Sequence, residues 1–371
     1  MRIAFLDSWL QEVAEGSGTA AAIGGLAGAL IARGHAVERL VPEGAWPRNL
    51  LLRRLWFNLT LPKRLAAASG RYDLVVGFDI DGVRVAHRCP VPYVCCIKGV
   101  LAEESRCESG WPRRMLWGLS RLERLNARRA PLVLSTSRYC CERIEAHYGV
   151  PPERLRLVPE GIDTGLWNPA GDDPAALAAL DGAREPHTVL CVARQYPRKR
   201  VADLITAFAA VHQRLPSARL VVIGDGPEHR ALRELVERLE LGAVVQLLGA
   251  LADDGDVRAW YRRSALFCLP SIQEGFGIVF LEAMASGLPV VSTTATAIPE
   301  VVPQGRAGLL VPPRDPAALA EALLKLLTDP VLQARCRACG RGHVGPFSWD
   351  RVAERFLEAV DAAAAPTAAG S

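Results

Sequence analysis

The stretch Arg263 to Val302, RSALFCLPSIQEGFGIVFLEAMASGLPVVSTTATAIPEVV, limits what this chain can fold into more than any other. Its apolar run Ala265 to Leu269 stops at Pro270-Ser271. A glycine-punctuated loop, Glu274-Gly275-Phe276-Gly277, then opens an apolar helix predicted over Ile278 to Ala285. Gly287 closes that helix, and Leu288 to Ser292 reads as the next buried strand. A strand, a Gly-rich turn and a helix N-terminus together make an anion site, because the first backbone N–H groups have no intrahelical acceptor and the helix dipole is positive there. Glu274 precedes the helix and Glu282 lies inside it. At about 1.5 Å per residue, Glu282 is roughly a turn and a half in from Gly277, so the two carboxylates can hold opposite ends of one elongated ligand with a phosphate between them. An unpaired carboxylate on so apolar a helix would cost several kcal/mol, which argues against Glu282 being merely an exposed helix carboxylate.

The rest of the chain repeats this alternation. Arg2 to Leu6 reads as a strand, followed by a loop with Gly16-Ser17-Gly18, a helix from Thr19 to Arg33 ended by Gly34, and a strand from Ala36 to Val41. A βαβ opening of this kind points to a doubly wound parallel sheet. It is not a dinucleotide fingerprint, because G-x-G-x-x-G is absent. Further strands are expected over Asp73 to Phe78, Val91 to Ile97, Leu132 to Thr136 and Leu155 to Val158, with Ser137 opening the helix between the last two. Trp167 to Pro186, rich in Pro, Ala, Gly and Asp, reads as a hinge. A second series follows: strands at Thr188 to Ala193, Arg219 to Ile223, Val244 to Leu248 and Ala307 to Val311, with helices between them and to the C-terminus. A length of 371 residues is itself more than one ordinary core can hold, so two domains are expected.

Several function classes are excluded or weighed by composition. No uninterrupted apolar segment approaches the ~20 residues of a membrane span, and Met1 to Leu6 is too short for a signal peptide, so a cytoplasmic chain is expected. The ten Cys are scattered and several fall inside strands, which fits reduced thiols. Cys336-x-x-Cys339 has no partner pair for zinc. Asp79 and Asp81, after a strand, could hold a divalent metal or simply occupy a turn, and the turn is favoured. Residues 1 to 165 hold 23 Lys plus Arg against 17 Asp plus Glu, so all of the net +4 belongs to the N-terminal half. Within it, 46–71 carries six basic residues and no acidic one, and 111–129 carries six Arg against Glu123, both with interspersed Trp and Leu. Such stretches either lie at an anionic membrane interface or pack their leucines inward beneath a solvated basic face. No nucleic-acid motif accompanies the charge.

Glu274 and Glu282 form an E-x7-E pair inside EGFGIVFLEAMASGLPVV, and this string resembles the donor-site signature of the retaining, nucleotide-sugar-dependent glycosyltransferases of family 4. The resemblance is strong from about Val189 to Pro312 and weaker before it. It implies the α/β GT-B fold, two Rossmann-like doubly wound domains facing a central cleft: an acceptor-binding domain over 1–165, a hinge over 166–186, a nucleotide-sugar domain over 187–345, and a C-terminal helix within 346–371 crossing back to the first domain. Arg194 and Lys199, in VARQYPRKR, match the family's Arg and Lys that bind the donor diphosphate. The resemblance implies catalytic roles for Arg194, Lys199 and Glu274, with Glu274 facing the transferred sugar. Glu282 would accept from the ribose hydroxyls and the N–H groups of Gly277, Ile278 and Val279 would approach the phosphates. Gly275, Phe276, Gly224, Leu248 and Gly249 complete the donor set, the base resting near the last two. Gly16, Gly18 and Lys98 are the expected cleft or acceptor residues. Lys98 stands where relatives commonly carry His, as a cation near a ligand or as an ordinary strand-end residue, and Glu160 replaces Asn in the family's Pro-Asn-Gly-Val-Asp turn. The implied chemistry needs no metal or other cofactor beyond the nucleoside-diphosphate sugar. It is a hexosyl transfer to a hydroxyl acceptor, which could be lipid-linked, in cell-envelope glycan or glycoconjugate synthesis. The alternatives are an epimerase or phosphorylase of the same fold, or a non-catalytic sugar-nucleotide-binding protein.

Overall fold

The apolar runs become parallel strands in two six-stranded sheets, one in each of the two units into which the chain divides, in a computed structural model describing residues 1–9, 18–42, 50–168, 170–171 and 173–364. One unit comprises residues up to Gly161 together with the stretch from Trp349, and the other Ile162–Ser348. The first sheet holds β1 (Arg2–Leu6), β2 (Ala36–Leu40), β3 (Leu74–Phe78), β4 (Tyr93–Ile97), β5 (Leu132–Ser135) and β6 (Leu155–Leu157), in the order β2-β1-β3-β4-β5-β6. The second holds β7 (Thr188–Val192), β8 (Arg219–Ile223), β9 (Val245–Gly249), β10 (Leu266–Cys268), β11 (Val290–Thr293) and β12 (Gly308–Val311), in the order β12-β11-β10-β7-β8-β9. Parallel strands are covered by helices on both faces, so they read as unbroken apolar runs; LVVGF and YVCCI are buried at every position.

Strand order decides where a ligand can sit. From β7 the chain moves outward through β8 to β9 and then returns to β7's other side with β10. The loops leaving β7 and β10 therefore turn to opposite faces, and a crevice opens beyond their carboxyl ends. Registers Leu266↔Val189 and Phe267↔Leu190 hold the two strands side by side. In the first sheet the same reversal lies between β1 and β3, paired from Ile3↔Leu74 to Leu6↔Gly77.

In the first unit, Ile23, Leu26 and Leu30 of the helix Gly18–Ala32 share one core layer with Val352, Phe356 and Val360 of the helix Trp349–Ala364. The Trp349 ring lies so close over Gly25 and Gly161 that a Cβ at either would come within 2.5 Å of it. The other layer includes Phe57, Leu61 and Leu65 of the helix Leu50–Ala67. In the second unit Phe267, Phe280 and Tyr261 are buried together, each large apolar side chain contributing roughly 2 kcal/mol.

One expectation changes with the structure. The basic stretch 46–71 is not uniformly a solvated face: Arg54 and Asn58 turn inward while Leu52, Trp56 and Leu59 are exposed, and Trp46 lies outside the described residues. The segment read as a hinge holds the helix Pro174–Gly182 and, near its end, the buried Arg184. Arg184 donates to the carbonyls of Tyr261, Arg262, Ser264 and Ser286, gathering the C-terminal ends of the helices Asp254–Arg263 and Ile278–Ala285 under one cation. A cation is favoured there because those carbonyls carry the negative end of each dipole.

Candidate active site

The helix Ile278–Ala285 begins where the sequence places it, and Gly277 is its N-cap at φ +91°. A side chain there would be strained and would drive a Cβ to 2.6 Å from the Phe280 ring. Glycine also leaves the helix without a side-chain cap, and the N–H groups of Gly277, Ile278 and Val279 have no acceptor among the described residues. This end of the helix is thus open to an anion. Gly275 is half-buried in the loop before it and Phe276 is buried.

Beside it runs the loop after β7. Lys199 donates to Glu274 Oε1 at 2.6 Å, with both side chains nearly buried. The backbone closes the same contact, since Arg198 O accepts from Ile272 N at 2.9 Å and from Ser271 Oγ at 3.1 Å. Glu274 N in turn donates to Thr296 Oγ1. The sheet order accounts for this meeting of residues 75 positions apart, since β7 and β10 are neighbours. Without a ligand, Lys199 and Glu274 thus satisfy each other. Arg194 is exposed, 5.9 Å from the Tyr196 ring, and makes no ion pair with a described residue.

The loop is held from below by Gln195, which the sequence reading passed over. Its side chain donates to Gly224 O, its N to Asp225 O, and its Oε1 accepts from His229 Nδ1 at 2.8 Å, which puts the proton on that nitrogen. Gly224 has φ +120°, and a Cβ there would lie 2.1 Å from Ala193 O. Its N–H donates to Gly249 O at 2.7 Å, which ties in the end of β9, where Leu248 is exposed.

Glu282 is half-buried and accepts a hydrogen bond at Oε2 from the Tyr261 hydroxyl at 3.0 Å. Burial raises its carboxyl to about 7; the Tyr261 hydrogen bond works in the opposite direction and nearby Asp254 reinforces the rise. Tyr261 is the partner that the burial of Glu282 demanded, and in the sequence it was indistinguishable from other helix aromatics.

Gly18 is exposed at the start of its helix, and Gly16 lies outside the described residues. Lys98 is buried with Glu160, Nζ to Oε2 at 3.0 Å, so the two positions that depart from the family pattern meet as one ion pair. Burial opposes the Lys98 charge, but Glu160 and its other anionic neighbours outweigh it and raise its pKa above the ordinary 10.5. Asp79 and Asp81 are also committed. Asp81 accepts from Ser8 N and Oγ and from Asn58, while Asp79 accepts from Trp9 Nε1 and Lys98 N, and Arg54 lies 3.7 and 3.8 Å from the two carboxylates. Burial lifts Asp79 to about 6 against the pull of Arg54. Among the described residues no group of three or more His, Cys, Asp and Glu is placed to hold a metal, and no helix is long and apolar enough to cross a membrane.

Comparison with known proteins bears on this geometry. Residues 186–329 match the family described as "Glycosyl transferases group 1", and residues 16–166 match "Glycosyltransferase Family 4". The chain is 34% identical over 246 residues to the GDP-mannose-dependent alpha-(1-6)-phosphatidylinositol monomannoside mannosyltransferase of Mycobacterium tuberculosis, a match spanning 62% of this chain and 63% of that protein. It is 32% identical over 327 residues to the GDP-mannose-dependent monoacylated alpha-(1-6)-phosphatidylinositol monomannoside mannosyltransferase of Corynebacterium glutamicum, covering 84% of this chain and 81% of the relative. Sucrose-phosphate synthase from Thermosynechococcus elongatus superposes with a TM-score of 0.79 at 23% identity, over 96% of this chain and 98% of that one, and so shares the fold.

Proposed function

This chain belongs to the family 4 glycosyltransferases and has their GT-B fold, and from that premise we propose that it is a retaining hexosyltransferase moving a sugar from a nucleoside diphosphate to a hydroxyl acceptor. The observation that carries the reading is the meeting of Lys199 with Glu274 at the strand-order reversal, beside the open N–H groups of Gly277, Ile278 and Val279. In this proposal the donor diphosphate lies against those N–H groups with Arg194 and Lys199, and Glu282 receives the ribose hydroxyls. The glycosyl C1–O bond to phosphate breaks while the acceptor oxygen bonds C1 from the same face, and the acceptor proton passes to the leaving phosphate oxygen. Negative charge then grows on the diphosphate, and fixed cations and N–H dipoles aimed there lower the barrier. Glu274, freed from Lys199 as the donor enters, meets hydroxyls of the transferred sugar. Gly16, Gly18 and the first unit serve the acceptor.

The donors printed in the relatives' names make GDP-mannose the first to try, and their phosphatidylinositol-based acceptors favour a lipid-linked one, in cell-envelope glycoconjugate synthesis on the cytoplasmic side. A thermal-shift screen against GDP, UDP, ADP and their sugars tests the assignment. One nucleoside diphosphate is expected to raise the melting temperature, by an amount equivalent to about 2.7 kcal/mol at a hundred times its Kd. No shift with any of them at millimolar concentration overturns it.

Surface chemistry supports peripheral contact with anionic lipid. Leu52, Trp56 and Leu59 are exposed on Leu50–Ala67, and Trp111, Trp117, Arg113, Arg114, Arg121 and Arg124 on Gly110–Arg129, with the Arg121 guanidinium 3.9 Å over the Trp117 ring. Leu51 joins Met115, Leu116 and Leu122 in one small cluster, so the two helices adjoin. At ~1 kcal/mol per basic residue near the surface, Arg113→Glu/Arg114→Glu is expected to release the protein from phosphatidylserine vesicles at 0.15 M salt. Unchanged co-sedimentation would remove the membrane role.

A further inference from the structure

We infer that Tyr261 is a positioning residue: its buried hydroxyl holds Glu282 in the orientation and charge state that recognise the ribose of the donor. The inference rests on the reading of Glu282 given above. Tyr261 is fully buried and fixed on every side. Its ring stacks on Phe267 at 5.6 Å and meets Trp167 edge-on at 5.0 Å; its carbonyl accepts from Arg184; its hydroxyl donates to Glu282. The phenol's own pKa is raised well above 10 by burial, with Glu282 adding to the rise, so it remains a donor at any working pH. A hydroxyl locked this firmly can offer its proton in one direction only, toward Oε2.

The surroundings leave this hydrogen bond without competition. Glu282 forms no ion pair among the described residues. Asp254, on the same helix as Tyr261, is a like charge that works against the carboxylate, and the Cys191 thiol on β7 is a buried neighbour of Tyr261. The helix Pro330–His343 packs against Ile278–Ala285 but sends Arg341 past its C-terminal end, to Gly287, where Asp181 binds it at 2.6 Å; Arg184 is occupied there too. Among the described residues no cation is therefore at hand to keep Glu282 ionised, and Tyr261 is the one hydrogen-bond donor to its carboxylate. When a ribose arrives, its two hydroxyls need acceptor lone pairs, and a carboxylate with one oxygen held by Tyr261 presents the other to them. A protonated Glu282 would offer one acceptor fewer and a competing donor.

The test uses the full chain and three proteins: wild type, Tyr261→Phe, which keeps the ring packing, and Glu282→Gln. Titration calorimetry measures binding of the nucleoside diphosphate selected by the thermal screen, and of inorganic pyrophosphate, which has no ribose, from pH 5.5 to 8.5. For wild type, nucleotide affinity should rise with pH as Glu282 ionises. Tyr261→Phe should weaken nucleotide binding roughly tenfold at pH 7, the scale of one hydrogen bond to a charged group, and should move the acidic limb to higher pH, because the removed bond favoured the charged form. Pyrophosphate binding should be unchanged. An unshifted pH profile in Tyr261→Phe, or equal weakening of pyrophosphate and nucleotide, overturns the inference while leaving the role of Glu282 standing. If Glu282→Gln binds nucleotide like wild type, the ribose role of Glu282 is wrong and the inference falls with it.

Discussion

Arg194→Ala is expected to lower kcat/KM for the nucleotide sugar by roughly 10²- to 10³-fold with the melting temperature nearly unchanged. The two effects separate because of where the guanidinium stands. It is exposed, its ring contact with Tyr196 is loose at 5.9 Å, and no described carboxylate depends on it, so its loss belongs with surface substitutions that change stability by less than about 0.5 kcal/mol. The diphosphate, by contrast, gains charge as the glycosyl bond breaks, and a missing cation is felt in the transition state. Lys199→Ala should behave differently. It would strip Glu274 of its 2.6 Å partner in a nearly buried site, so activity and melting temperature should fall together. Steady-state kinetics and calorimetry on both variants check this, and an Arg194→Ala protein that melts early in proportion to its lost activity would contradict a phosphate role.

Lys98→Met should cost about 3 kcal/mol or more, because it leaves the Glu160 carboxylate buried with no counter-charge. The double variant Lys98→Met/Glu160→Met should recover most of that loss, since replacing both members of a buried pair with apolar side chains is often neutral. Denaturant melts of the four proteins of the cycle measure it. Full stability of the single variant together with lost turnover would instead make Lys98 a ligand-facing cation. The pH behaviour has a definite sign. With a folded-state pKa above 10.5, the Lys98 contribution is complete at and below neutrality and is lost only as pH rises through that raised value. Of the residues placed at the donor site, the one whose charge changes near neutrality is Glu282, whose carboxyl burial raises to about 7.

Much of the second unit was legible because its signals are local. Proline and glycine bracket the helix Ile278–Ala285, its apolar side chains are buried, and Ser137 caps the helix after β5 by accepting from Cys140 N, as its position in the sequence suggested. The basic helices were harder. Composition showed that arginine, tryptophan and leucine alternate in 46–71, but not that Arg54 would point into the unit toward Asp79 and Asp81 while Leu52 and Trp56 faced out. Rotational phase around a helix is set by what it packs on. Arg184 was hidden for a related reason: a segment rich in Ala, Gly and Pro reads as linker, whereas its arginine answers carbonyls on helices some 77 to 102 residues later.

What the amino-acid order determined alone was the succession of elements and the chemistry at their ends: two αβ series, a glycine-opened helix that exposes N–H groups, and cations five residues apart after β7. Local sterics and backbone hydrogen bonding suffice for that, since each signal lies within a few residues of its effect. Tertiary structure decided the partnerships. Placing β10 against β7 put Glu274 on Lys199, and packing Asp254–Arg263 beside Ile278–Ala285 gave Glu282 its tyrosine. The segments leaving β4 and β6 likewise brought Lys98 to Glu160. Buried charges take whichever partner the sheet order brings within about 3 Å, and that order is a property of the whole packed layer that no single stretch of sequence contains.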